Sequence, residues 1–413
     1  MRVLHDVPSS EGVKNGLKRA KRLVEAAYTP VKQLPIIIYS VADGVRTYHE
    51  TVSNAYLPLK GLPYSSVRRV EKYIGFNVSF ETFYSALSNP NSVIYTKPIH
   101  ADNQNVHCHY GIVCSCFVSE VLDLPYRTPC IRFPEIPGMQ VIDTSAFENL
   151  QLLDIVLNVK QHIAIITDIE RDETGKVQFI TVSESVLPFC RAVRYTPEEF
   201  THYWLDNGYK IYRYPDLDRI TYESDPFMPI PVDGPVETPF INRTLMTDYG
   251  NKANYRLGEA VEISVFDPAF TAVSVLGPDG TSTTYPVEEG KATVLPAAPG
   301  FYEARAMNGE TASAPVEFAV TDLTLTLDRD GYRPGDEIRV KYENSKDEVP
   351  VAWQFNVSAT DRGCKGGLLP EGLPANGEIT LRVPDREEEL ELYLITKNRY
   401  GFYASDQVRI PKA

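Results

Sequence analysis

The densest concentration of reactive side chains is the stretch HCHYGIVCSCFVSEVLDLP, which brings His107, Cys108, His109, Cys114 and Cys116 within ten residues. Three chemistries are open to such a cluster. A zinc site uses thiolates and imidazoles, but its cysteines usually stand about two to four residues apart, and a single residue separates Cys114 from Cys116. If HCHY is extended, His107 and His109 also face away from Cys108. A second reading makes the cysteines small apolar residues buried at a helix start. The third is nucleophilic catalysis, which needs a thiolate, an imidazole to hold it and a polar group to orient that imidazole. Cys114 stands directly before an apolar helical pattern. A thiol placed there gains from unpaired amides and the positive end of the helix dipole, which can bring its pKa from ~8.5 to roughly 3.5–7.5. Cys116, inside the first turn, points elsewhere.

The motifs around these residues resemble those of the NlpC family of bacterial cell-wall cysteine peptidases. VCSCFV is similar to the family's Asp-Cys-Ser-Gly-Phe-Val, with Cys114, Ser115, Phe117 and Val118 matching. Downstream, LLDIVLNVKQHIAIITDI resembles Gly-Asp-Ile-Val followed by Gly-His-Val-Ala-Ile, with matches at Asp154, Ile155, Val156 and His162. Upstream, GLPYSS resembles the Pro-Tyr motif, at Pro63 and Tyr64. The chain departs from these patterns at Val113, Cys116 and Gln161, and no WGG-like continuation follows Tyr64. The likeness runs over roughly residues 10–215, with a long insertion at 65–107.

What the resemblance implies is an α+β papain-like (NlpC-type) domain with Cys114 as nucleophile and His162 as its base. Tyr64 and Ser115 would then lie beside the substrate, Tyr64 having the alternative role of a core aromatic. The third catalytic position falls on VQFITVSES, which supplies Ser183, Glu184 and Ser185. Glu184 is the choice, because a carboxylate fixes the imidazole tautomer and favours the thiolate–imidazolium pair. The substrate would be a peptidoglycan stem peptide, cut through a thioester with no metal or organic cofactor. The same thioester could be resolved by an amine, giving a transferase. Two readings of another kind are a surface or glycan-binding protein whose peptidase-like domain has lost activity, and a zinc protein.

The elements that must hold these residues can be read from periodicity. Val13, Leu17, Ala20, Val24 and Ala27 predict a helix over Glu11 to Ala27, with Ser9 and Ser10 available as caps. SFETFYSALSNP and CSCFVSEVLDLP read as further helices, and TPEEFTHYW as another with a capping box from Thr196 to Glu199. LLDIVL, HIAIITDI and VQFITVSE predict adjacent antiparallel strands. Six prolines between Tyr214 and Phe240 place a domain boundary there. Beyond it, alternation at Val261, Ile263 and Val265, at Val273 and Val275, at Ile338, Val340 and Tyr342, and at Leu390, Leu392 and Leu394 predicts strands with one buried face. YRLGEAVEISVF at Tyr255 and YRPGDEIRVKYEN at Tyr332 repeat at a spacing of 332 − 255 = 77 residues. The expected domains are 1–232, then immunoglobulin-like sandwiches at 233–320 and 321–413.

Composition bounds the rest. The 43% hydrophobic and 23% charged residues describe a folding chain. A net charge of −14, with no basic cluster, excludes nucleic acid as partner. No apolar run approaches the ~18 residues of a membrane span. MRVLHDVPSSEG lacks the apolar centre of a secretory signal, so the cell-envelope location that the resemblance implies is an expectation without a leader to support it. Five of six cysteines fall in the first half, too clustered for a disulfide scaffold, and oligomeric state leaves no mark.

Overall fold

The computed structural model describes residues 3–42, 45–53, 59–64, 83, 84, 87, 93–95, 111–124, 128–222, 244–247, 253–346, 348–357 and 363–413. His107, Cys108 and His109, most of the expected helix at 79–90, nearly all of the 65–107 insertion and most of the proline-rich stretch lie outside them. Three large hydrophobic clusters organise the described chain, one drawing on residues between Val13 and Ile220, one between Leu245 and Val320, and one between Leu323 and Ile410, with a small fourth at Ala352 and Ile395.

The N-terminal unit is built on a seven-stranded sheet. Its path runs from Cys190–Tyr195 through Val177–Ser185, His162–Arg171, Ile155–Asn158 and Lys210–Arg213 to Gln140–Ile142, with Leu4–His5 paired against the far end of His162–Arg171. All the pairings are antiparallel. The runs rich in Ile and Val form its centre because both faces are covered: Ile155, Val156, Ile163, Ala164, Ile165 and Ile166 are fully buried. The helices are short. Glu11–Glu25 has 15 residues, Cys114–Val121 has 8 and Pro197–Tyr203 has 7.

This overturns the papain-like α+β class expected of the unit. Strand outweighs helix here as it does along the whole chain. The physical reason is that each helical pattern is interrupted early. The first helix stops at Glu25 because Ala27–Tyr28 leaves it to pair with Leu59–Lys60. The second ends where Asp123 turns into the left-handed region at φ 54°. The Ser10 cap and the Thr196–Glu199 capping box form as the sequence predicts.

The two later units are sandwiches. In the first, a sheet of Leu245–Thr247, Val261–Val265 and Lys291–Val294 faces another carrying Ala272–Leu276 and Gly300–Asn308. In the second, Thr324–Leu327, Glu337–Glu343 and Gly377–Arg382 face Gly363–Leu368, Pro350–Val357, Leu390–Asn398 and Gly401–Ile410. The alternating residues named above all point inward, Val261, Ile263, Ile338, Val340 and Leu392 with no exposure.

The repeated tyrosine has the same place in both sandwiches. Tyr255 is buried and its strand, Ala253–Arg256, runs parallel to Val316–Thr321 at the end of the unit. Tyr332 is buried and bridges in parallel to Lys412. In each copy a glycine, Gly258 or Gly335, follows at φ 85° or 84°, a turn that favours glycine.

Candidate active site

Cys114 opens the helix Cys114–Val121, whose preceding residue, Val113, is extended and offers no side-chain cap. The first-turn amides therefore keep their positive dipole end for the sulfur. The helix lies on the sheet through Phe117, Val118 and Val121, all buried without exposure, packing against the His162 and Glu184 strands. Arg19, from the first helix, fixes its other side. The guanidinium bonds Glu120 Oε1 at 3.0 Å, Asp123 Oδ1 at 2.6 Å and the Thr221 carbonyl at 2.6 Å.

His162 begins the strand His162–Arg171. The neighbouring register sets Ile165 opposite Ser183, so Glu184 lies diagonally from His162 on the same face. Glu184 Oε2 meets His162 Nε2 at 2.7 Å, and Arg191 Nε donates to Glu184 Oε1 at 2.8 Å. Arg191 is the direct cross-strand partner of Glu184. With Nε2 engaged, Nδ1 is the ring nitrogen left to face the Cys114 sulfur, whose nearness raises the imidazole. The indole of Trp204 stacks on the imidazole at 6.2 Å and 14°, holding its plane.

The electrostatics follow from these contacts. Cys130 Sγ lies 4.0 Å from Cys114 Sγ and is the largest influence drawing the Cys114 thiol well below its ordinary value. Burial opposes it, while the His162 ring and the Ile163 amide add to the lowering. For His162, burial disfavours the charged form, yet the Cys114 sulfur and the Glu184 carboxylate lift the imidazole to about 9. Burial also pushes on the Glu184 carboxyl, but His162 and Arg191 outweigh it and hold it below the usual carboxylate range. These shifts all favour a thiolate beside an imidazolium backed by a carboxylate.

The other residues singled out in the sequence take distinct places. Ser115 is buried at 4% exposure, and its carbonyl accepts from Ser119 Oγ at 2.8 Å. Tyr64 is half-buried against the main core. Its segment threads between two others: the Tyr64 amide donates to Pro188 O at 2.8 Å, and the Ile112 amide, two residues before Cys114, donates to Pro63 O at 3.0 Å. Gly61, at φ 88°, starts this segment so close to Cys190 that a Cβ would sit 2.0 Å from the Cys190 carbonyl oxygen. Asp154 is a structural residue, buried and held by both Arg213 Nε and Nη2 at 2.8 Å.

Cys130, Arg191 and Trp204 received no role from the sequence. Arg191 could have been found by aligning the two antiparallel strands across their short connection. Cys130 could not, because it opens the short 3-10 helix Cys130–Glu135, 16 positions from its partner, where no hydrophobic periodicity marks a face. No group of His, Cys and acidic side chains near Cys114 has metal-binding geometry among the described residues. The one such group is His5, Asp168 and Glu170, where Arg194 already occupies Glu170 at 2.5 and 2.8 Å.

No family model matches the chain, and no curated protein matches it. Among solved structures, the alpha chain of the chicken interferon gamma receptor is similar at 12% identity and a TM-score of 0.20, over 40% of this chain and 96% of its own. A likeness of that size bears on neither fold nor chemistry. No helix among the described residues is long and apolar enough to cross a membrane.

Proposed function

We propose that the N-terminal unit is a cysteine-dependent amide hydrolase in which Cys114, His162 and Glu184 act as a triad. The observation that carries this is the hydrogen bond from His162 Nε2 to the buried Glu184 carboxylate, with the Cys114 sulfur beside the same ring at the start of a helix. The thiolate attacks the carbonyl carbon of an amide, helix-start amides stabilise the oxyanion, and His162 gives its proton to the departing amine. Water, deprotonated by the now neutral imidazole, then releases the acyl group. Every group in this sequence belongs to the protein. The motif likeness to NlpC peptidases favours a peptidoglycan stem peptide as the substrate class. The presence of all three side chains, with Glu184 bonded to His162, disfavours the reading of a decayed enzyme kept only for binding.

The test is amine release from stem tetrapeptides and from muropeptides by the full chain. Release that stops in Cys114→Ala supports the assignment. If none of these amides is cut while Cys114 still alkylates rapidly at pH 6, hydrolysis of this substrate class is wrong, and transfer to an added amine becomes the reading to pursue.

A further inference from the structure

We propose that Cys114 and Cys130 form a peroxide-responsive dithiol, in which oxidation of the Cys114 sulfur is resolved by Cys130 into a reversible disulfide that removes the nucleophile from service. The proposal rests on the reading of Cys114 as an activated thiol, but it needs no knowledge of the substrate.

Geometry selects this pair. The two sulfurs are 4.0 Å apart, against the ~2.05 Å of a disulfide, so about 2 Å of sulfur travel closes the bond. Both thiols are half-buried, whereas Cys116 and Cys190 are buried at 0% and 2% exposure. Burial also pushes the Cys190 thiol up to about 12, which leaves it inert. Cys130 opens the short 3-10 helix Cys130–Glu135, which is not part of the sheet, with Pro129 before it and Pro134 within it. The segment leading into it is tied to the helix of Cys114 through the Thr128 amide, which donates to Ser119 Oγ at 3.3 Å. The travel therefore falls on the first residue of a short helix and on two side-chain rotations, and the sheet that carries His162 and Glu184 need not move. The triad is complete without Cys130, whose second thiol adds a capacity that a hydroxyl at the same place would lack.

The chemistry balances. The Cys114 thiolate attacks one oxygen of hydrogen peroxide. An S–O bond forms, the O–O bond breaks and the other oxygen leaves as hydroxide, leaving a sulfenic acid. The Cys130 sulfur attacks the sulfenyl sulfur, the S–S bond forms, the S–O bond breaks and the oxygen leaves as water with the Cys130 proton. In sum two thiols lose two electrons, peroxide gains them, and two waters form. A dithiol reductant reverses the closure by exchange. The disulfide also shields Cys114 from the irreversible step to sulfinic acid.

The experiment treats the reduced full chain with equimolar hydrogen peroxide, blocks free thiols and maps the peptides by mass spectrometry. The expected result is a Cys114–Cys130 cross-link, two hydrogens lighter than the reduced pair and reopened by dithiothreitol. In Cys130→Ser the sulfenic acid should persist long enough for dimedone to trap it, and sulfinic acid should then accumulate several-fold faster. Cross-linking of Cys114 to any other cysteine, or equal sulfinic acid formation in both proteins, overturns the proposal. Should the variant misfold, the wild-type map alone decides. Rapid alkylation of Cys114 at pH 6 without cross-linking would refute the dithiol while leaving the hydrolase reading intact; absence of that alkylation would sink both.

Discussion

At the scale of single residues the site is a line of five groups, Cys130, Cys114, His162, Glu184 and Arg191, each holding the next. Removing an inner member should cost more than removing an outer one. In Glu184→Gln the amide can no longer stabilise the imidazolium, and turnover should fall by about a hundredfold or more while substrate affinity changes little. Arg191→Met should cost a smaller factor, because Arg191 is half-exposed and acts only through Glu184. Steady-state kinetics on the two variants separates the effects, and equal losses would contradict the proposed order. The His162 imidazolium also sets an alkaline limit. In the proposed reaction its proton is the one delivered to the leaving amine, so kcat/KM should decline as pH rises through about 9 and the ring becomes neutral. A profile that falls instead near 6.5, the ordinary imidazole value, would mean that Cys114 and Glu184 do not hold the ring as described.

Among the elements, the nucleophile helix has only 8 residues and is stabilised by what surrounds it rather than by its own length. Below it, the strand Ile155–Asn158 is anchored by the buried Asp154 and its two bonds from Arg213. Asp154→Ala would leave the guanidinium without its partner and should destabilise the N-terminal unit by about 3–5 kcal/mol. Urea unfolding followed by Trp204 fluorescence reports this, and a loss under 1 kcal/mol would show the pair to be dispensable. The sequence made much of this level legible. Strands announced by two-residue alternation and helices announced by Ser10 and Thr196 lie close to where those residues set them. The class of the first unit was not legible, because motif likeness weights the residues around Cys114 and His162 and ignores how soon each helix ends. The carboxylate was a choice among Ser183, Glu184 and Ser185 on electrostatic grounds. Cys130 stayed hidden because a six-residue 3-10 helix is too short for its sequence to signal which side chain it meets.

For the molecule as a whole, three hydrophobic clusters mean three places where cooperativity can begin. Contacts do cross between units: Arg219 meets Glu371 at 2.9 Å, and Asn398 donates to Asn254 at 2.6 Å. Phe301 also meets Tyr400 edge-on at 5.2 Å. The hydrophobic cores nevertheless stay separate, so calorimetry should resolve more than one transition, and a single peak satisfying the two-state test would contradict this. The repeated tyrosine strands bear on a different property. In the first sandwich Ala253–Arg256, which follows the short entering strand Leu245–Thr247, lies parallel to the strand that leaves the unit, Val316–Thr321. Once the three-residue entering strand has parted, chain ends pulled apart would load that parallel pairing along its length, so its hydrogen bonds must yield together instead of peeling one at a time. Among the described residues the second sandwich shows a single parallel bridge, at Tyr332. Under tension in a single-molecule experiment the first sandwich should therefore be the stiffer link and the second the one that gives way, a graded breaking order.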